Sequence, residues 1–170
     1  MLTQVKEGEF HPYYATYIAK ATHENIVEGL EQGKNDFKNF VSTIPEEKWT
    51  FAYDTGKWTV VEVLQHLIDS ERIFAYRALR FARNDKTPLM GFEQDDYVPN
   101  SNANTYSISE VLADFEAVRN SSITLYKGFT PEMLSRIGEA SNSPMSARAL
   151  GYILMGHQIH HFEVIKERYL

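Results

Sequence analysis

The sequence predicts an all-α protein, a four-helix bundle with long crossover loops. Turn residues are few, with 9 Gly and 6 Pro among 170 residues, and they cluster between long segments. Within those segments, apolar residues recur every three, four or seven positions, which places them on one face of a helix. No segment alternates polar and apolar residues convincingly, so no strand is predicted. Helices that each bury one apolar face pack together as a bundle.

The first half of the chain contains the signals for two long helices. Pro12 suits a first helical turn, so the first helix is predicted from about Pro12 to about Ser42. Thr59 and Glu62 form a capping box with Thr59 as the N-cap. This box begins a second helix of roughly 25 residues that ends near Asn84.

The second half of the chain gives two more long helices. Ser107 and Glu110 form another capping box, and Gly128 ends the helix that they begin. A short helical turn is predicted at 130–132. The last helix is predicted from about Ser146 to the C-terminus.

Residues 85–106 differ from the rest, because Pro88, Pro99 and several Asn residues interrupt any periodicity. They predict a long ordered loop. Loops of this length are often functional, so it could form a wall of a site, and a plain surface crossover is equally compatible. Asp95 and Asp96 in its middle are either acids near that site or formers of Asx turns, and turn chemistry is favoured.

Composition limits the classes of site and partner. The chain has 17 Lys+Arg and 23 Asp+Glu, a net charge of −6, so no basic stripe is available for nucleic acid. A small-molecule or protein partner is expected instead. Cysteine is absent, which excludes disulfides, thiolate metal clusters and a cysteine nucleophile. Any metal must be held by His, Asp or Glu.

Length and hydropathy indicate a single domain over residues 1–170, large enough for one core. No run of 18 apolar residues occurs, and the N-terminus lacks the pattern of a signal peptide. We therefore expect a cytoplasmic location and no membrane association.

The last helix carries a pair of histidines, His157 and His161, in the middle of its apolar face. They are four residues apart and about 40° apart around the helix axis. Apolar residues flank them on this face: Leu150, Ile153, Leu154, Val164 and Ile165. Two imidazoles at this spacing can both reach one ion. The alternative is a pair of core histidines, each satisfied by a carbonyl or a carboxylate.

The best third ligand is His66 on the second helix. It lies on a second apolar arc of that helix, so the helix is buried on both sides, and one side could face a partner subunit. His23 could approach the same cavity and ranks below His66. His160 lies at the edge of the apolar face and is interpreted as a supporting or surface residue.

Rival metal motifs do not fit. A zincin needs Glu after the first His of the pair, and here Gln158 follows His157. A di-iron bundle needs paired Glu-x-x-His segments, which are missing. Three neutral imidazoles with open positions suit one divalent ion, Zn, Ni, Fe or Mn.

Glu71 lies on the more strongly apolar arc of the second helix, where a carboxylate needs a partner. Arg77 and Arg168 are the partners considered. Glu71 could orient a metal ligand, but a structural buried ion pair is favoured.

Several segments together resemble the DinB-like/YfiT-like four-helix-bundle superfamily. They are Gly56-Lys57-Trp58-Thr59, Asp69-Ser70-Glu71-Arg72, Tyr76-Arg77-Ala78-Leu79, Gly91-Phe92-Glu93-Gln94-Asp95 and Gly156-His157-Gln158-Ile159-His160-His161. The resemblance implies a single divalent ion held by His66, His157 and His161, and a homodimer. Similar proteins that have been characterised include S-transferases that use thiols such as bacillithiol, and a mycothiol-dependent isomerase.

Three functions follow as hypotheses. The first is a metal-dependent S-transferase for a low-molecular-weight thiol, in which the ion activates the thiol. The second is a metal-dependent hydrolase using bound hydroxide. The third is a non-catalytic module that binds a metal or a small molecule. No catalytic side chain is predicted, and no cofactor is expected besides the metal.

Overall fold

The structure is a computed structural model and describes residues 5–170. The helices are α1 (Ala15–Lys20), α2 (Ile26–Val41), α3 (Val60–Ala82), α4 (Gln94–Tyr97), α5 (Ile108–Lys127), α6 (Pro131–Ser135) and α7 (Ala147–Arg168), with strands β1 (Ile137–Ala140) and β2 (Ser143–Ser146) before α7. The long helices α2, α3, α5 and α7 form the bundle: α2 and α3 each contact both α5 and α7. The predicted four-helix bundle is confirmed.

The prediction of one continuous first helix is wrong. Residues 12–14 form a 3-10 turn, α1 ends at Lys20, and α2 begins only at Ile26. Asn25 causes the restart, because its side-chain oxygen accepts hydrogen bonds from the backbone N–H of Val27 and Glu28 at 2.9 and 3.3 Å. An N-cap of this kind satisfies donors that a helix start leaves free. The break lets α1 pack against α7 as a separate element.

The predicted starts of α3 and α5 are confirmed. Thr59 accepts from the backbone N–H of Glu62 at 3.3 Å, and the Glu62 carboxylate accepts from the Thr59 N–H at 2.7 Å. Ser107 and Glu110 form the same reciprocal pair. Ser146 caps α7 by accepting from a backbone N–H one turn into the helix. These local signals therefore fix where three of the four bundle helices begin.

The prediction that the chain has no strand is also wrong, because β1 and β2 form a small antiparallel hairpin. Its two turn residues, Ser141 and Asn142, have φ of 53° and 57°, the left-handed pair that a tight two-residue hairpin requires. Each strand has only four residues, and Gly138 and Pro144 weaken the alternating pattern. A Cβ at Gly138 would lie 2.0 Å from the Phe81 ring, so the glycine lets the hairpin pack on the C-terminal end of α3.

Helix α3 packs against both α5 and α7, which bury most of its apolar residues, although Leu79 remains exposed. The core has two clusters, one around Leu30, Leu150 and Ile153 and another around Leu64 and Phe115. Among the helices of residues 5–170, none combines the length and the apolar character needed to cross a membrane.

Candidate metal centre

Three histidine side chains converge between α3 and α7. His66 extends from α3, and His157 and His161 extend from successive turns of α7. The Nε2 atom of His157 lies 3.2 Å from Nε2 of His66 and 3.0 Å from Nε2 of His161. Within the part of the chain that the structure describes, these residues form the one group of His, Asp or Glu side chains close enough to share an ion. The sequence brought the same three residues together.

The donor set fits a divalent ion. An ion about 2.0–2.1 Å from each nitrogen in a tetrahedral site separates the nitrogens by roughly 3.3 Å, close to the spacings observed. Hydrogen bonding explains the cluster less well, because Nε2 of His157 carries either one proton or one lone pair and faces two nitrogen atoms. One cation would satisfy three converging lone pairs together.

Burial keeps the three imidazoles in the neutral form that binds metal. Loss of hydration lowers the pKa of His66 to about 4. Loss of hydration, with the nearby charges of His66 and His160, lowers the pKa of His161 to about 3. The pKa of His157 is lowered well below its ordinary value, first by burial and then by the other histidines. All three rings are therefore unprotonated at neutral pH, as metal ligands must be.

The Nδ1 atoms, which face away from the cluster, have different surroundings in His66 and His161. Nδ1 of His66 lies 3.4 Å from the hydroxyl oxygen of Ser70, one turn later on α3. Nδ1 of His161 is buried and has no hydrogen-bond partner among residues 5–170. The ring of Trp58 packs against His66 with 5.1 Å between centroids. Ser70 and Trp58 thus restrict the orientation of the His66 ring.

Tyr17 of α1 covers the cluster. Its ring centroid is 5.1 Å from that of His157 and 5.2 Å from that of His160. Gly156 allows the backbone of α1 to approach α7 this closely, because a Cβ at position 156 would lie 1.7 Å from the carbonyl oxygen of Tyr17. Tyr17 was not predicted from the sequence, although a glycine directly before His157 is a signal for close backbone approach.

Replacement of Gly156 by alanine is expected to push α1 away from α7 and to lower the free energy of unfolding by about 1–3 kcal/mol, the usual cost of overpacking. Denaturant unfolding of the metal-free protein measures it. Gly128→Ala is the matched control, because its Cβ would meet its nearest neighbour only at 3.4 Å and should be tolerated. Equal stability of the two variants would contradict the close approach of α1.

A cavity of about 250 Å³ adjoins the histidines. Its lining comes from the N-terminal segment, α3, α7, the 85–106 segment and the hairpin turn, namely Tyr13, Tyr14, Tyr17, His66, Ser70, Phe74, Arg77, Phe92, Glu93, Gln94, Asp95, Ser141 and His157. The 85–106 segment therefore forms a wall of the site, as one of its two interpretations predicted. The prediction of a loop throughout is wrong, because the segment contains α4 and two 3-10 turns, at 98–100 and 103–105.

Comparison with known proteins agrees with this architecture. The model of the DinB superfamily matches residues 30–165. The chain belongs to the DinB superfamily. A relative from Oceanobacillus iheyensis, provisionally named a metal-dependent hydrolase, is 24% identical over 152 residues, which are 86% of this chain and 87% of that protein.

Two solved structures share the DinB fold. YfiT from Bacillus subtilis, described as a probable metal-dependent hydrolase with an unusual four-helix bundle topology, superposes with a TM-score of 0.74 at 20% identity, covering 84% of this chain and 82% of its own. A DinB-like protein from Bacillus subtilis, YjoA, gives a TM-score of 0.60 at 16% identity, covering 85% and 89%.

The other residues that the sequence suggested for the site lie around the edge of the three-histidine cluster or outside it. His23 lies outside the cluster, in a separate recess beside α2, and its Nδ1 is 3.0 Å from the Thr22 hydroxyl. His160 is half-buried and packs on Tyr17, as a supporting position would. Asp95 lines the cavity. Asp95 and Asp96 belong to the first turn of α4, so the Asx-turn interpretation is wrong.

The predicted partners of Glu71 are wrong, although the buried ion pair itself is confirmed. Glu71 pairs with Arg119 of α5, whose Nε and Nη2 donate to the carboxylate at 2.8 Å each. Arg168 donates to the Tyr53 hydroxyl instead, and Arg77 donates to two oxygens at the cavity. Arg119 lies four residues after the buried Phe115, on the apolar stripe of α5. An arginine on that stripe was the available signal for the pair.

Gln158 joins the same buried network rather than the metal cluster. Its Oε1 accepts from Nη2 of Arg119 at 2.8 Å, and its Nε2 donates to the carbonyl of Gly33 at 2.8 Å. The position that carries the catalytic Glu in zincins thus holds a structural amide here. A mechanism of the zincin type is excluded by this residue.

Proposed function

We propose that this DinB protein is a metal-dependent enzyme in which His66, His157 and His161 hold one divalent ion. The observation that carries the proposal is the convergence of three neutral imidazoles, two of which, His66 and His157, also line the 250 Å³ cavity. An ion bound there would be reached by a small molecule directly from that cavity.

The site is open rather than closed. Structural zinc sites use four protein ligands, whereas catalytic sites use three and leave a position for water or substrate. Among residues 5–170, no fourth His, Asp or Glu side chain joins the group of three. This arrangement supports catalysis over a purely structural role for the metal.

The bound ion would supply Lewis acidity that lowers the pKa of a small nucleophile. The first candidate nucleophile is an external low-molecular-weight thiol, which makes the protein an S-transferase. A free thiol has a pKa of about 8.5, so it needs less activation than water does. The thiol must be external because the chain has no cysteine. Tyr17 and Phe74 contribute aromatic walls that limit the access of water to the nucleophile.

The second candidate is hydrolysis. The names of the relative from Oceanobacillus iheyensis and of YfiT both refer to metal-dependent hydrolases. Glu93 and Asp95 also line the cavity, and a carboxylate at that position can accept a proton from water. In this case the reaction proceeds without a thiol.

One experiment separates the two candidates. Protein loaded in turn with Zn, Ni, Fe or Mn is given a thiol, bacillithiol or cysteine, with monochlorobimane as the electrophile, and separately a nitrophenyl ester without thiol. We expect thiol conjugation that requires both the metal and His66, with His66→Ala inactive and His23→Ala, which lies outside the cluster, fully active. Ester turnover alone would favour the hydrolase. Failure of both reactions with every metal would contradict the proposed enzymatic function. The remaining hypothesis would then be a non-catalytic module that binds a metal or a small molecule.

A further inference from the structure

Arg77 is a buried cation on the wall of the metal cavity. Its side chain extends from α3, belongs to a residue that is only 2% exposed, and lines the cavity together with His66 and His157. Its Nη2 donates to the carbonyl oxygen of Met90 at 3.1 Å and to the hydroxyl oxygen of Ser141 at 3.2 Å. Both acceptors are neutral.

Arg77 has no carboxylate partner. Within residues 5–170, it belongs to none of the ion pairs, although the equally buried Arg119 is paired with Glu71. Its Nη2 makes both of these bonds, and the Tyr14 hydroxyl is a third neutral partner. A guanidinium has five N–H donors, more than these three acceptors use. Burial lowers the pKa of Arg77, the sign of a charge that has lost its hydration. A buried guanidinium without an anion is rare in folded proteins.

The surroundings hold this guanidinium in a fixed position. The rings of Phe74 and Phe92 each lie 5.8 Å from its central carbon. The bonds to Met90 and Ser141 attach it to the 85–106 segment and to the hairpin turn. A planar cation that is held between aromatic rings and still has free N–H donors is preorganised to bind an anion through the oxygen atoms of that anion.

The acidic side chains at the cavity do not neutralise Arg77. Glu93 and Asp95 line the same cavity, but both are exposed and neither forms an ion pair with the guanidinium. Hydration weakens the field of exposed carboxylates more than that of a buried cation. The interior of the cavity therefore favours a negative group.

We propose that Arg77 forms an anion subsite beside the metal centre, and that the substrate is a small molecule with a carboxylate or a phosphate group. The inference rests on the proposed function, because it assigns the chemical class of the molecule that reacts at the ion. The cavity has a volume of about 250 Å³, so this molecule must be smaller than a typical drug molecule. Charge-assisted hydrogen bonds to the guanidinium would place its reactive end towards His66 and His157.

Calorimetric binding of simple probes tests the subsite without any turnover. Succinate, inorganic phosphate and the neutral succinamide are titrated into wild-type protein, both metal-free and zinc-loaded. We expect succinate or phosphate to bind both forms and succinamide to bind at least about tenfold more weakly, because it lacks the charge. The tighter of the two acids identifies the preferred group. Equal binding of acid and amide by the wild type would overturn the subsite.

Three variants locate the binding on Arg77. Arg77→Met is expected to weaken acid binding about tenfold or more, and Arg77→Lys is expected to recover part of it. Arg80→Met is the matched control, since Arg80 lies on the same helix as Arg77, pairs with Asp85 and does not line this cavity. Circular dichroism checks that each variant folds. Unchanged acid binding in folded Arg77→Met would show that Arg77 only ties the loop and the hairpin to α3.

The outcomes separate this inference from the proposed function. Acid binding that depends on Arg77, in a protein that catalyses neither reaction with any metal, would support the subsite and contradict the enzyme. Turnover of acidic and neutral substrates at equal rates, by wild type and by Arg77→Met, would support the enzyme and contradict the subsite.

Discussion

Replacement of His157 by alanine is expected to reduce the metal content of the purified protein from about one ion per chain to nearly none. His157 lies between the other two histidines, with its Nε2 at 3.2 Å from that of His66 and 3.0 Å from that of His161. Without it, the ion would have two imidazole ligands on two different helices. Loss of a residue that only supports a ligand typically weakens metal affinity 10–100-fold, so loss of the central ligand should exceed about 100-fold.

Elemental analysis after dialysis against a weak chelator measures this effect. His23→Ala is the control, because His23 is an imidazole that lies in a separate recess outside the cluster. It should retain the wild-type metal content. Wild-type metal content in His157→Ala would show that the cluster is not where the ion binds. Chelator competition with zinc then gives the ratio of the two affinities.

Features that depend on near neighbours in sequence were predictable. The pair His157 and His161 projects from one face because of helix periodicity alone, and the capping boxes begin α3 and α5 through bonds spanning three residues. His66 needed one further assumption, that the arc carrying it faces the last helix. The structure supports it, because His66 contacts His157 across the α3–α7 interface.

Features that depend on which elements meet in space were not predictable. The sequence placed Glu71 correctly in the core but could not say that α5, rather than α3 or α7, supplies its arginine. The hairpin was missed because its strands are four residues long and its turn depends on two positive φ angles. Tyr17 reaches the site only because Gly156 lets two backbones meet, which no helical pattern reveals.

Replacement of Glu71 by leucine is expected to lower the free energy of unfolding by about 3–5 kcal/mol, the usual cost of leaving one member of a buried ion pair alone. Glu71 and Arg119 are 2% and 1% exposed. Arg119 also donates to the Leu30 carbonyl on α2 at 3.2 Å and to Gln158 on α7 at 2.8 Å, so its guanidinium connects all four bundle helices. Denaturant unfolding of metal-free protein measures the loss.

The double variant Glu71→Leu/Arg119→Met distinguishes an unpaired charge from lost packing. Removal of both charges should restore a large part of the stability, because no ion then remains buried alone. Restoration should be incomplete, since the buried Gln158 Oε1 loses its donor, at about 1–3 kcal/mol, whereas the Leu30 carbonyl lies within α2 and keeps its helical hydrogen bond. A double variant that is less stable than Glu71→Leu would indicate that packing dominates.

The exposed pair between Glu31 and Lys127 is the control for this network, because it also joins two bundle helices, α2 and α5, but lies in water. Exposed ion pairs contribute little, so Glu31→Gln should leave the stability unchanged. If Glu71→Leu proved as harmless as Glu31→Gln, the buried pair would not stabilise the bundle.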